Sequence, residues 1–150
     1  EGAPTEAVTI WLQAIADADA LLFATPEYNS SIPGHLKNAI DWASRPIATA
    51  ALRNKPSAVI GASTGMFGAV WAQAELRKIL GAAGARVIDR ELPVTSADEA
   101  FSADGTLVEQ DLALELDGVL VELLDEAQRV NKPDLRQDPP VLPAEVNSTR

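Results

Sequence analysis

The sequence predicts one α/β domain built around a parallel sheet, and three observations carry that expectation. Strand-like runs alternate with helical periodicity three times along the 150 residues. The runs at residues 20–24 and 57–62 are short and almost wholly apolar, the pattern of strands covered on both faces. Each of these two runs gives way to a polar loop rich in proline, serine or glycine. In a parallel sheet such loops leave the carboxyl ends of the strands, where ligands of this architecture lie.

The first helix is expected over residues 4–18. Pro4 and Thr5 open it, Glu6 lies in the first turn, and Val8, Trp11, Leu12, Ile15 and Ala16 recur at helical spacing. The strand of Ala20, Leu21, Leu22, Phe23 and Ala24 follows and is stopped by Thr25 and Pro26. A second helix is predicted over residues 33–43, with Pro33 preset in φ for the first turn and Ser31 available to accept from its free N–H groups. It carries two apolar faces, one of Ile32, Leu36, Ile40 and Ala43 and one around Ala39, Trp42 and Pro46. The first suits a sheet and the second a partner subunit.

After Asn54, Lys55 and Pro56 comes the second strand, which ends in the Ser/Thr/Gly cluster at 63–68. A third helix is expected over residues 68–83 on the stripe Ala72, Leu76, Ile79, Leu80 and Ala83, closed by Gly84 in a left-handed cap. Arg86, Val87, Ile88 and Asp89 form the third strand candidate, and residues 89–104 read as an irregular connection with a turn at Asp104 and Gly105. The last helix, over about 108–130, is amphipathic through Leu112, Leu116, Val119, Leu120, Leu123 and Ala127, with Glu115, Glu122 and Glu126 on its solvated face. The domain is thus expected over residues 1–130. Residues 131–150, with four prolines between Lys132 and Ala144, are expected to form an extended or disordered tail.

Composition narrows the function classes. Twelve basic against twenty-two acidic residues give a net charge of −10, which disfavours nucleic acid and anionic membrane surfaces. With no cysteine there are no disulfides, thiol nucleophiles or thiolate metal sites, and the one histidine, His35, builds no zinc site alone. No run of about 20 apolar residues and no secretion signal is present, so a cytoplasmic location is expected. Gly-x-Gly-x-x-Gly and Gly-Lys-Ser/Thr spacings are missing, as are a nucleophile elbow and a His–carboxylate pair. No catalytic side chain is assigned, and a bound cofactor would have to carry the chemistry.

The loops are where such a cofactor would sit. Residues 24–34 combine polar groups, two prolines and the ring of Tyr28, a stiff segment that loses little entropy against a flat ligand. Residues 61–68 bring glycines that permit close backbone approach, followed at once by a helix. Met66 and Phe67 are placed either over such a ligand or in the core, and Trp11, Trp42 and Trp71 read as core or interface anchors.

The run Ala24-Thr25-Pro26-Glu27-Tyr28-Asn29-Ser30-Ser31-Ile32-Pro33-Gly34-His35-Leu36-Lys37-Asn38-Ala39-Ile40-Asp41-Trp42 resembles the NADPH-dependent FMN reductase family, which includes quinone, chromate and azo-dye reductases. Lys55-Pro56, the Gly61 to Gly68 loop, Gln73-Ala74-Glu75-Leu76-Arg77 and Gly84-Ala85 extend the resemblance in order, over about residues 5–127. It implies a flavodoxin-like three-layer α/β/α fold with a five-stranded parallel sheet, about three strands of it in this chain. It also implies a homodimer or homotetramer.

The same resemblance implies cofactor contacts. Pro26, Glu27, Tyr28 and Asn29 would line one edge of the FMN ring, and Ser63, Thr64 and Gly65 its pyrimidine end, where N–H donors favour the negative charge of the reduced flavin. The implied activity is transfer of hydride from NADPH or NADH to FMN and on to a quinone-like or other small acceptor. The family's phosphate-wrapping loop has no counterpart after Glu1, and the resemblance places it in roughly 40 further residues ahead of that position, the size of a β-α-β unit. Without them the first strand would lack a neighbour. Two other readings share the scaffold: a flavin-bound electron carrier, which the acidity suits and the second apolar helix face does not, and a cofactor-free interaction module.

Overall fold

The computed structural model describes residues 3–131. Along them run α1 (Glu6–Asp17), β1 (Leu21–Thr25), α2 (Gly34–Ala43), β2 (Pro56–Ala62), α3 (Val70–Ala82), β3 (Arg86–Val87), β4 (Pro93–Val94), α4 (Ala97–Ala100) and α5 (Gln110–Asn131), with a 3-10 turn at Ile47–Thr49. The proline-rich tail, from Lys132 onward, lies outside the described residues.

β2 is the axis of the domain. It pairs in parallel with β1 in register from Leu21 opposite Ser57 to Thr25 opposite Gly61. Its other edge meets β3 at the start, Pro56 opposite Arg86, and β4 at the end, Gly61 opposite Pro93. Alternation along the strand sorts the two layers. Val59 joins Ile15, Ile40, Leu52, Leu76 and Leu80 on the face carrying α1, α2 and α3. Ala58 joins Leu92, Val94, Val119 and Leu123 under α5. The result is the three-layer parallel arrangement expected from the sequence.

Local chemistry sets the element ends. The Thr5 hydroxyl accepts from the Val8 N–H at 3.4 Å and starts α1. Its far end is held by Lys55, whose ammonium donates to the carbonyls of Ala16 and Ala18, a cation at the negative end of a helix. Gly84, at φ 89°, terminates α3 as expected, with Gly84 N–H bonded to Gly81 O and Ala85 N–H to Leu80 O, the paired bonds of a left-handed helix stop.

Several expectations are corrected. The third strand stops at Val87, and the connection taken as irregular contains β4 and the single turn α4. Ile88 still donates to Ser57 O at 2.9 Å, residues 89–92 then leave the edge of β2, and the chain returns to it at Pro93, so one edge strand is split in two. Ser31 does not cap α2: Pro33 is the N-cap and no side chain bonds there. β1 is less covered on one face than expected, since Leu22 is 42% exposed and Ala24 is exposed, whereas Leu21 and Phe23 on the other face pack against the α1–α3 core. Glu126 is not on a solvated face. It is buried, with one oxygen on Arg86 Nε and the other 2.8 Å from Arg129.

Among the described residues no helix is long and apolar enough to cross a membrane.

Two glycines test this packing in opposite directions. Gly68 sits at φ 55°, and a Cβ there would lie 2.6 Å from the Pro93 backbone, whereas Gly81 lies in α3 with open space around it. Gly68→Ala should destabilise the domain by roughly 2 kcal/mol or more, and Gly81→Ala should stabilise it by about 0.5 kcal/mol. Thermal unfolding of the two variants checks both signs.

Candidate functional site

Because β1 and β2 are adjacent and parallel, the loops that follow them emerge on the same rim of the sheet. Tyr28 and Gly65 therefore belong to one edge and not to opposite ones.

The first loop is a tight turn. Tyr28 N–H donates to Ser31 O at 2.8 Å and Ser31 N–H to Tyr28 O at 3.1 Å. Between them Asn29 (φ 53°) and Ser30 (φ 60°) both occupy the left-handed region. A two-residue turn with both central φ values positive demands such a conformation, and asparagine tolerates it better than most residues. Pro26, Tyr28 and Asn29 are exposed at this turn. Glu27 is half-buried, and its Oε2 accepts from the Trp71 and Ala72 N–H groups at 3.1 and 3.2 Å. The loop that the sequence marks as stiff is thus stiffened by its own hydrogen bonds as well as by proline.

The second loop is anchored from the β4 side. Ser63 N–H donates to Val94 O at 3.0 Å, and Ala97 N–H to Ser63 O at 3.0 Å. Thr64 and Gly65 stay exposed, as do Met66 at 76% and Phe67 at 52%. That decides between the two placements of Met66 and Phe67: neither is in the core. Trp71, expected as an anchor, is 46% exposed and meets Phe67 edge to face with ring centroids 4.8 Å apart. Trp11 and Trp42 are half-buried.

A residue outside the predicted site set holds the rim together from below. Gln73 is fully buried. Its Nε2 donates to Gly68 O at 3.0 Å and its Oε1 accepts from Leu92 N–H at 3.1 Å. It thereby ties the end of the second loop to the segment where the edge strand is interrupted, satisfying one buried backbone group of each. Its sequence signal is a polar side chain beside Ala72 on the apolar stripe of α3.

Four of the five non-glycine residues with positive φ, Asn29, Ser30, Ala69 and Ser96, lie on this rim; the fifth, Asn54, is bonded to Gly84 at the other end. Costly backbone conformations concentrate where a scaffold serves a ligand. Among the described residues, the backbone N–H groups of Asn29, Ser30, Thr64, Gly65 and Met66 have no protein acceptor. A row of free donors on two exposed loops fits a flat ligand with carbonyl oxygens and ring nitrogens at its edge. Below the rim, on the α5 side, a cavity of about 600 Å³ is lined by Ala24, Ile60, Ala62, Val94, Phe101 and Leu116. Its lining is mainly apolar, and Tyr28, Ser63, Thr64 and Gly65 do not contribute to it. In the 101–107 segment that walls it, the Ser102 hydroxyl and the Thr106 N–H hold the Asp104 carboxyl below the usual carboxylate range.

Residues 1–99 match the family model described as NADPH-dependent FMN reductase. An NAD(P)H-dependent FMN reductase of Pseudomonas aeruginosa is 49% identical over 111 residues, 73% of this chain and 59% of that protein. A 2-hydroxy-1,4-benzoquinone reductase of a Burkholderia species is 41% identical over 107 residues, 71% of this chain and 58% of the other. Among solved structures, the flavoenzyme NAD(P)H:(acceptor) oxidoreductase of Paracoccus denitrificans has a TM-score of 0.72 at 38% identity, covering 83% of this chain and 69% of that one. The chain spans about six-tenths of the length of the two curated relatives.

Gln73→Leu keeps the volume and removes both buried bonds, leaving the Gly68 carbonyl and Leu92 N–H unpaired. A loss of roughly 2–4 kcal/mol in denaturant unfolding is expected.

Proposed function

Because the chain belongs to the NADPH-dependent FMN reductase family, we propose that its rim holds FMN and serves an NAD(P)H oxidoreductase whose second substrate is a quinone-like or other small acceptor. The observation that carries this reading is the set of free N–H donors on two loops fixed to the same edge of the sheet. The Burkholderia relative, named a 2-hydroxy-1,4-benzoquinone reductase, supports the acceptor class.

FMN, when bound, supplies the ring that takes hydride from NADPH or NADH and gives electrons to the acceptor. The protein's share is binding and orientation. Pro26, Tyr28 and Asn29 line one edge of the ring, with Glu27 shaping that loop from behind. Ser63, Thr64 and Gly65 would face the pyrimidine end, where the free N–H groups of Thr64 and Gly65 favour negative charge and so the reduced state, the Ser63 N–H being held by Val94 O. Preset turns and a buried glutamine keep these donors in place before the ligand arrives, which limits the entropy lost on binding. No side chain on the rim is needed as acid or base in this scheme.

A second copy of the chain is proposed against the far side of α2. Trp42 is half-buried there beside Pro46, and Ile47 is 66% exposed. Such a patch suits an interface between copies.

The test is direct. Protein purified with FMN should show bound-flavin absorbance, oxidise NAD(P)H, and do so faster when a benzoquinone is added. Light scattering of the same sample should give a dimer or a dimer of dimers. Flavin-loaded protein that leaves NAD(P)H untouched would overturn the reductase reading.

A further inference from the structure

α3 begins without a cap of its own. Its N-cap residue, Ala69, is left-handed at φ 61° and offers no side-chain acceptor. The first four N–H groups of a helix need partners from outside the regular ladder or from its first turn. Val70 N–H finds Phe67 O at 3.2 Å and Gln73 N–H finds Ala69 O at 3.1 Å. The two between them, Trp71 and Ala72, are the second and third helical positions, where a serine or aspartate N-cap would normally accept. Both donate instead to a single oxygen of Glu27, which lies 44 residues before Trp71 and on the other loop of the rim.

We propose that Glu27 is a positioning residue for the flavin site: its carboxylate caps α3 from the facing loop and so fixes the two halves of the cradle against each other. The proposal rests on the FMN reading above and deepens it by giving Glu27 a role that does not require its carboxylate to touch the ligand. Tyr28 and the Asn29–Ser30 turn follow Glu27 immediately, so holding its Oε2 holds the start of the first loop. The second loop feeds α3 through Phe67 and Ala69, so capping Trp71 and Ala72 holds its end. A carboxylate at the positive end of a helix is favoured both by the dipole and by charge-assisted hydrogen bonds. Without it no other hydrogen bond among the described residues links the first loop to the second or to the start of α3, and a ligand that bridges them must order them at its own expense.

Glu27→Ala and Glu27→Gln separate the possibilities when amide hydrogen exchange and FMN affinity are measured on the same samples. In Glu27→Ala, protection at the Trp71 and Ala72 amides should fall roughly 5- to 10-fold, the size of a lost cap, and FMN affinity by a similar factor. Unchanged protection at Val59 and Leu80 shows that the variant is folded. Glu27→Gln, which keeps a carbonyl oxygen at the same reach, should recover part of both losses.

Weaker FMN binding with full protection at Trp71 and Ala72 would overturn the proposal, since the carboxylate would then act on the ligand directly. Lost protection with unchanged FMN affinity would overturn it too, by making the cap a matter of stability alone. If the unaltered protein takes up no FMN, the flavin reading fails first and is recognised as the cause, while exchange at the two amides still reports whether Glu27 caps α3.

Discussion

The in-register parallel pairing of β1 with β2 is the constraint on which the rest depends. Thr25 opposite Gly61 sets the strand ends within one residue of each other, so the loops beginning at Pro26 and Ser63 leave the sheet side by side. Every feature of the rim then follows from how those loops are held. A one-residue slip would turn Val59 and Phe23 away from α2 and α3 and expose them, so the same apolar packing that stabilises the layer also fixes the site.

Above that register, three long-range polar ties replace what local sequence does not supply. Glu27 provides the cap that Ala69 cannot, Gln73 bonds the Gly68 carbonyl of the second loop and the Leu92 N–H of the split edge, and Lys55 closes α1 from the loop before β2. Each joins segments distant in the chain, and each leaves backbone groups near a loop satisfied without adding regular structure. The rim is therefore rigid in its skeleton and open in its donors, a combination suited to a cofactor that performs the chemistry itself.

Much of this architecture is legible in the chain. Apolar periodicity is strong in α1, α3 and α5, and the buried residues Ile15, Ile40, Leu76, Leu80, Val119 and Leu123 all fall on stripes read from spacing alone. Gly84 as a helix stop follows from its position after an apolar stripe. The sequence is less explicit where strands are short: β3 and β4 have two residues each, too few for a period to show, so the split edge looks in the sequence like a strand followed by irregular chain. Burial of Glu126 leaves no mark in the sequence, because an acidic residue on a helix usually faces water and only the fold brings Arg86 against it. The rim's loops stood out through composition and resemblance. How they are joined did not, because a cap or a buried bridge formed between distant residues leaves no local pattern.

In the proposed function one edge of the sheet, formed by two loops with free backbone donors, receives FMN. Titrating FMN into isotopically labelled protein and following the backbone amide resonances tests it most directly. The largest shifts are expected at Asn29, Ser30, Thr64, Gly65 and Met66, with Asn54 and Gly84 at the opposite end unmoved. Shifts clustered around Asn54 and Gly84, or within the apolar cavity beneath α5 while the five rim amides stay still, would contradict it.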